Sequence, residues 1–174
     1  TSFMDMPNVI PPTLTNDLWQ EKINIAQKDS LANYSFYMGT SNSNIDEIKK
    51  IDPQQVCGVK VFMGSSTGNL LVDDESALEN IFSLSPVIIT THCEDTPLIS
   101  INEQKAIAKY GESIPIELHE EIRSRQACLN STTKAIQLAK QFNSDLHVLH
   151  ITTEDEIKLF NEGSIEGKKI TSEV

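Results

Sequence analysis

The chain has 174 residues, enough for one domain with a real core. Its 25 acidic residues outnumber its 14 basic ones, giving a formal net charge of -11, which argues against a nucleic-acid binder and against attachment to anionic membranes. No apolar run approaches a membrane span and no secretory signal is visible. Cys57, Cys93 and Cys128 form an odd set without paired spacing, so free thiols in a reducing, cytoplasmic setting are the expectation, and a zinc ribbon or Cys-x-x-Cys redox motif is excluded.

Taken in order, Thr1 to Met6 reads as a strand ending in Asp5-Met6-Pro7-Asn8, with a break at Pro11-Pro12. Thr15 is placed to cap a helix, and Leu18, Trp19, Ile23, Ile25 and Ala26 carry its pattern to about Leu31. Tyr34 to Met38 alternates as a second strand, and a short helix from Asn44 uses Ile45, Ile48 and Ile51 before Pro53. Val56 to Met63 is the third strand. Asp73 and Asp74 open a helix whose buried side is Leu78, Ile81 and Phe82. The β-branched run from Pro86 to Thr91, ending at His92, has the look of a parallel strand covered on both faces. A helix from about Pro97 to Tyr110, an irregular stretch to His119 and a long amphipathic helix from about Ile122 to Phe142 follow. Leu146 to Ile151 is the next strand, Thr153-Glu154-Asp155-Glu156 is a capping box, and Lys169 to Val174 begins one more strand.

Strand and helix alternate six times, which calls for an α/β fold with a parallel sheet. A doubly wound nucleotide-binding sheet wants Gly-x-Gly-x-x-Gly after its first strand, and that is absent. The alternative is a (β/α)8 barrel, which needs roughly 250 residues for eight units. The expectation is therefore an incomplete barrel of about six βα units, residues 1–174 forming part of one domain that lacks its first strand and its last unit or units.

Chemistry gathers where barrel strands end. Lys60 sits inside an apolar strand; a buried lysine tends to lose its proton, and the neutral amine can form a Schiff base, act as a base or take up carbon dioxide as a carbamate. His92 and His150 stand at later strand ends, and two imidazoles with a carbamate form an N and O donor set suited to zinc or a similar ion. Such an ion equips a site to hydrolyse an amide. Glu94 and Asp95 read equally well as acidic residues favoured at a helix start. His147 and His150 face opposite sides of a strand, so at most one reaches the site. His150 is the choice, and His147 and His119 are expected to be structural or exposed. Alternation turns Cys93 away from His92. The Gly64 to Asn69 loop lacks the Lys-Ser/Thr that a P-loop requires.

Together, Asp5-Met6-Pro7-Asn8 with Pro11-Pro12, Gly58-Val59-Lys60-Val61-Phe62-Met63-Gly64-Ser65-Ser66-Thr67-Gly68-Asn69, His92-Cys93-Glu94-Asp95 and His147-Val148-Leu149-His150-Ile151-Thr152-Thr153 resemble the dihydroorotases of the amidohydrolase superfamily. The histidine motifs are shared with hydantoinases, dihydropyrimidinases and allantoinases. The resemblance implies a (β/α)8 barrel with two zinc ions bridged by a carboxylated lysine and a hydroxide. In the reversible interconversion of dihydroorotate and N-carbamoyl-L-aspartate, a step of pyrimidine synthesis, that hydroxide attacks the ring amide carbonyl. It assigns Lys60, His92 and His150 as metal ligands and Asn8 as a substrate-carboxylate contact. The family's first-strand His-x-His and its late general-base aspartate have no counterpart within these residues; the aspartate is expected beyond Val174, and no catalytic residue is assigned here. A homodimer and an association with aspartate transcarbamoylase are compatible with the family, as is a silent homologue that only supports a partner enzyme.

Overall fold

The computed structural model describes residues 1–64 and 69–174. Its strands are β1 (Ser2–Asp5), β2 (Asn33–Phe36), β3 (Met38–Gly39), β4 (Val59–Phe62), β5 (Ile89–His92), β6 (Leu146–Val148) and β7 (Ile170–Ser172). Between them run α1 (Asn16–Asp29), α2 (Ile45–Ile48), α3 (Glu75–Leu84), α4 (Thr96–Tyr110), α5 (His119–Ile122), α6 (Arg125–Phe142) and α7 (Glu154–Ile157). A single 3-10 turn, Ile116–Leu118, precedes α5.

All strand pairings are parallel. β1 pairs with β2, and β3 to β7 pair in chain order. Tyr37 joins the two sheets, because its amide donates to Asp5 O at 3.0 Å while the next amide, Met38, donates to Gly58 O at 3.0 Å. The predicted strand from Tyr34 to Met38 is thus one passage of chain that changes partner at Tyr37.

What decides between a barrel and a doubly wound sheet is where the helices lie. Val59, Val61, Ile89, Leu146 and Val148 alternate onto one face and are fully buried. On that face they share a core with Trp19 and Ala26 of α1, Ala77, Leu78, Ile81 and Phe82 of α3, and Ala135, Ile136, Leu138 and Ala139 of α6. Burying Ile81 or Phe82 stabilises the fold by about 1.5–3 kcal/mol each. The opposite face carries the register row Lys60, Thr90, His147 and Thr171. It borders an open cavity of about 730 Å³ that Thr90, His147, Tyr37 and Met6 help to line. One helical face and one polar face without helices is the construction of a (β/α)8 barrel, here about six units of it.

The helix starts follow the caps. Thr15 accepts from the Leu18 amide, Asp74 from Ala77 and Asp95 from Leu98. Four expectations are corrected. Ile25 is exposed, since only Trp19 and Ala26 of α1 are fully buried. The β-branched run enters its ladder only at Ile89 and keeps His92 within it. The long helix starts at Arg125, because Ile122 ends the separate turn α5. The strand expected to reach Ile151 ends at Val148. Among the described residues no helix is long and apolar enough to cross a membrane.

Candidate metal centre

Lys60 lies in β4 on the cavity face of the sheet and is 3 % exposed. Its Nζ sits 4.0 Å above the centre of the Phe62 ring, two residues on and on the same side, and donates to Val61 O at 3.3 Å. Among the described residues no carboxylate pairs with it. Burial therefore pulls the amine down to about 7 from its ordinary 10.5, so that a large share of it is uncharged at neutral pH.

The two selected histidines meet. His92 ends β5, and its Nδ1 lies 3.0 Å from His150 Nε2, the rings standing edge to face at 4.8 Å. Regular alternation would send His150 to the helical face with Val148. Instead the ladder stops at Val148, and His150 takes a left-handed backbone conformation, φ 43°, which turns its ring back towards His92. That turn is held from both sides, by Leu149 N to Thr91 O at 3.1 Å and Ile151 N to Glu173 O at 2.7 Å. Withdrawal of its ring from water, aided by the neighbouring His92, lowers the pKa of His150.

The geometry suits a single divalent ion. Two nitrogens bound at 2.0–2.1 Å around a tetrahedral ion lie about 3.3 Å apart, so His92 Nδ1 and His150 Nε2 need open by only about 0.3 Å. Among the described residues no group of three or more His, Cys, Asp or Glu side chains converges on one point. Two imidazoles could supply only part of a ligand set, and Lys60 could add a third donor only if its amine were converted to a carbamate.

The sequence offers Glu94 a helix-start role, and the structure corrects that. Asp95 alone caps α4. The Glu94 side chain, 9 % exposed, accepts from His92 Nε2 at 2.8 Å and pairs through the same Oε2 with Arg123. Burial would raise its pKa, but the hydrogen bonds from His92 and Arg123 outweigh burial and hold it at about 2. Gly64, just past β4, admits this arrangement: a Cβ there would lie 2.7 Å from Glu94 Cβ and closer still to the Glu94 carbonyl.

For Glu156, too, the sequence shows only a place in a capping box. The cap is present, with Thr153 Oγ1 accepting from the Glu156 amide at 3.4 Å. In addition its buried carboxylate accepts from Thr153 Oγ1 at 2.7 Å and Thr132 Oγ1 at 2.6 Å. This ties the loop carrying His150 to α6. A pocket of about 370 Å³ opens beside the histidines, with Glu94, Arg123, Cys128 and Glu156 in its wall.

The other assignments fall as follows. His147 bonds Thr171 Oγ1 at 2.8 Å and lies 3.4 Å from Glu173. His119 is exposed at the start of α5. Cys93 faces the core and donates to Thr91 Oγ1 at 3.2 Å. Asn8 stands exposed on the loop after β1. Within the Gly64 to Asn69 loop, residues 65–68 lie outside the described residues.

No family model matches the chain. A dihydroorotase from Methanosphaera stadtmanae is 30% identical over 167 residues, covering 93% of this chain and 36% of the relative. An allantoinase from Deinococcus radiodurans is 25% identical, covering 99% of this chain and 39% of the relative. In fold, an L-hydantoinase from Arthrobacter aurescens superposes with a TM-score of 0.88 at 24% identity, over 99% of this chain and 39% of that one. The chain spans well under half the length of each of these proteins, and over that span it is similar to the cyclic-amide hydrolases among them in sequence and to the L-hydantoinase in fold.

Proposed function

We propose that this chain is part of a metal-dependent hydrolase of cyclic amides, and that its substrate is dihydroorotate, opened reversibly to N-carbamoyl-L-aspartate. The observation that carries the reading is the pair of imidazole nitrogens 3.0 Å apart past the ends of neighbouring strands, with a buried lysine on the adjoining strand β4. The dihydroorotase from Methanosphaera stadtmanae supports the choice of substrate. Asn8, on the loop after β1, is the proposed contact to the substrate carboxylate.

His92 through Nδ1 and His150 through Nε2 would hold one zinc ion, and Lys60, carboxylated on its amine, would bridge it to a second. Zinc at this position supplies Lewis acidity, lowering the pKa of water and polarising an amide carbonyl. The chain's own part is to orient. Phe62 and the strand core keep Lys60 dry and lower its pKa to about 7, so that part of it is the neutral amine that adds carbon dioxide. The left-handed turn at His150 and the Glu156 anchor hold the second imidazole in place.

A second reading, a hydantoinase or allantoinase, is favoured by the L-hydantoinase superposition and the allantoinase relative. Turnover of dihydroorotate, dihydrouracil, hydantoin and allantoin by the full-length protein separates the readings: the preferred ring is the substrate, and turnover of none of them by a zinc-loaded sample sinks both. Residues 1–174 alone are expected to be inactive, since a partial ligand set holds no complete centre. Rapid turnover by that polypeptide would overturn this.

A further inference from the structure

A metal-binding imidazole works through one nitrogen, and the partner of its other nitrogen selects the tautomer. Both nitrogens of His92 are engaged, Nδ1 with His150 and Nε2 with Glu94. An ionised carboxylate only accepts, so the proton of the Glu94 contact belongs to His92 Nε2. Arg123 donates to the same carboxylate oxygen and so gives it a second anchor.

We propose that Glu94, clamped by Arg123, is a positioning residue: it holds His92 as the Nε2–H tautomer and so aims the Nδ1 lone pair at a metal ion shared with His150. This rests on the metal-centre reading above. A mere helix-start role does not account for Glu94, because Asp95 fills it, accepting from Leu98 N at 3.0 Å and from Asn130 Nδ2 at 3.0 Å. The backbone around Glu94 is also fixed on both flanks, by Asp95 N to Ala127 O at 3.1 Å and by the close approach of Gly64.

The proton count follows. In the metal-free protein, with both rings neutral, His92 Nδ1 accepts and His150 Nε2 donates. When an ion binds between them, the His150 proton moves from Nε2 to Nδ1 through solvent. His92 keeps its proton on Nε2, and the pair releases none.

The test uses the full-length protein and two variants, Glu94→Ala and Glu94→Gln. In the metal-free protein at about pH 8, where imidazoles are neutral, nitrogen-15 NMR of the imidazoles reads the tautomer of His92. Competition with a chromophoric chelator reads the affinity for zinc. The expected result is an exchange-protected Nε2–H on His92 in the wild type, lost in Glu94→Ala with an affinity drop of about 10- to 100-fold. In Glu94→Gln the amide oxygen still accepts, so the protected Nε2–H persists and most of the affinity returns. An Nδ1–H tautomer in the wild type, loss of the Nε2–H in folded Glu94→Gln, or Glu94→Ala affinity within about twofold of wild type overturns the proposal. If the wild type binds no zinc, the metal reading fails, while the Nε2–H signal and its dependence on Glu94 still decide the positioning role.

Discussion

Replacing Gly64 by alanine tests how the end of β4 is coupled to the histidine pair. The added Cβ would lie 2.7 Å from Glu94 Cβ, against about 3.5–4.0 Å for carbon atoms in comfortable contact, so the two segments must separate by about 1 Å. The obstacle is mainly Glu94 backbone, which cannot rotate aside as a side-chain tip would. Met63 N to His92 O at 3.0 Å is the last ladder bond between β4 and β5, and it sits beside the forced gap. Overpacking of this kind costs about 1–3 kcal/mol, and a 1 Å shift at a ligand-positioning residue costs about 100-fold in function. Urea unfolding should show the lower midpoint, and zinc competition the weaker binding. Gly111→Ala is the control. Its φ of 68° also disfavours alanine, but nothing lies within 4 Å of the added carbon, so it should lose stability without touching zinc affinity. Gly64→Ala with wild-type stability and wild-type zinc affinity would refute the coupling.

Glu156→Ala leaves the Thr132 and Thr153 hydroxyls without their buried acceptor and should cost about 2–4 kcal/mol by denaturant unfolding, with Glu156→Gln costing less. Lys60→Met exchanges a buried amine for an apolar side chain of similar reach. It should raise the stability of the metal-free protein by about 1–3 kcal/mol while abolishing high-affinity zinc binding in the full-length protein, read by the same two measurements. Glu47 accepts from the Asn16 amide at the start of α1, and that bond, with one from Lys50, holds its carboxyl at about 2 instead of 4.5. A depressed carboxyl stabilises the fold fully above its unfolded pKa and loses that contribution as pH falls through the folded value. Stability should therefore decline by on the order of 1 kcal/mol from this group between about pH 4.5 and pH 2. In Glu47→Gln that part of the slope should vanish from the urea midpoints.

The elements were legible where periodicity and capping spoke together. Thr15 and Asp74 start their helices as read, and the alternation of Val59, Lys60, Val61 and Phe62 places the lysine on the face opposite the helical core. The boundaries that moved are those decided by distant partners. Leu149 to Ile151 could continue a strand, but the Leu149 amide closes the ladder on Thr91 O and the Ile151 amide then turns to Glu173 O out of regular register. His150 was selected for standing near the strand end, whereas what brings it to His92 is a left-handed residue that no local pattern announces. The pattern places Arg123 at the start of the long helix, whereas it caps the separate turn α5, so nothing nearby in the chain marks it as the partner of Glu94. The spacing of His92 and Glu94 was a usable signal: residues two apart at a strand end share a face, and a carboxylate there is within reach of the imidazole.

The distribution of polarity across the sheet explains why the site and the fold place opposite demands on one strand. On the helical face, Val59 and Val61 gain from complete burial, and any polar atom there would lose stability. On the other face, Lys60 is equally dry, yet no described carboxylate offsets its desolvation. Local packing alone would select methionine or leucine at that position. The proposed use for the Lys60 amine is together with the two imidazoles whose nitrogens lie 3.0 Å apart past the ends of β5 and β6. The stability gained by Lys60→Met and the binding lost by the same change are therefore two readings of one cost. A variant that gains stability while keeping zinc affinity would show that the lysine serves neither.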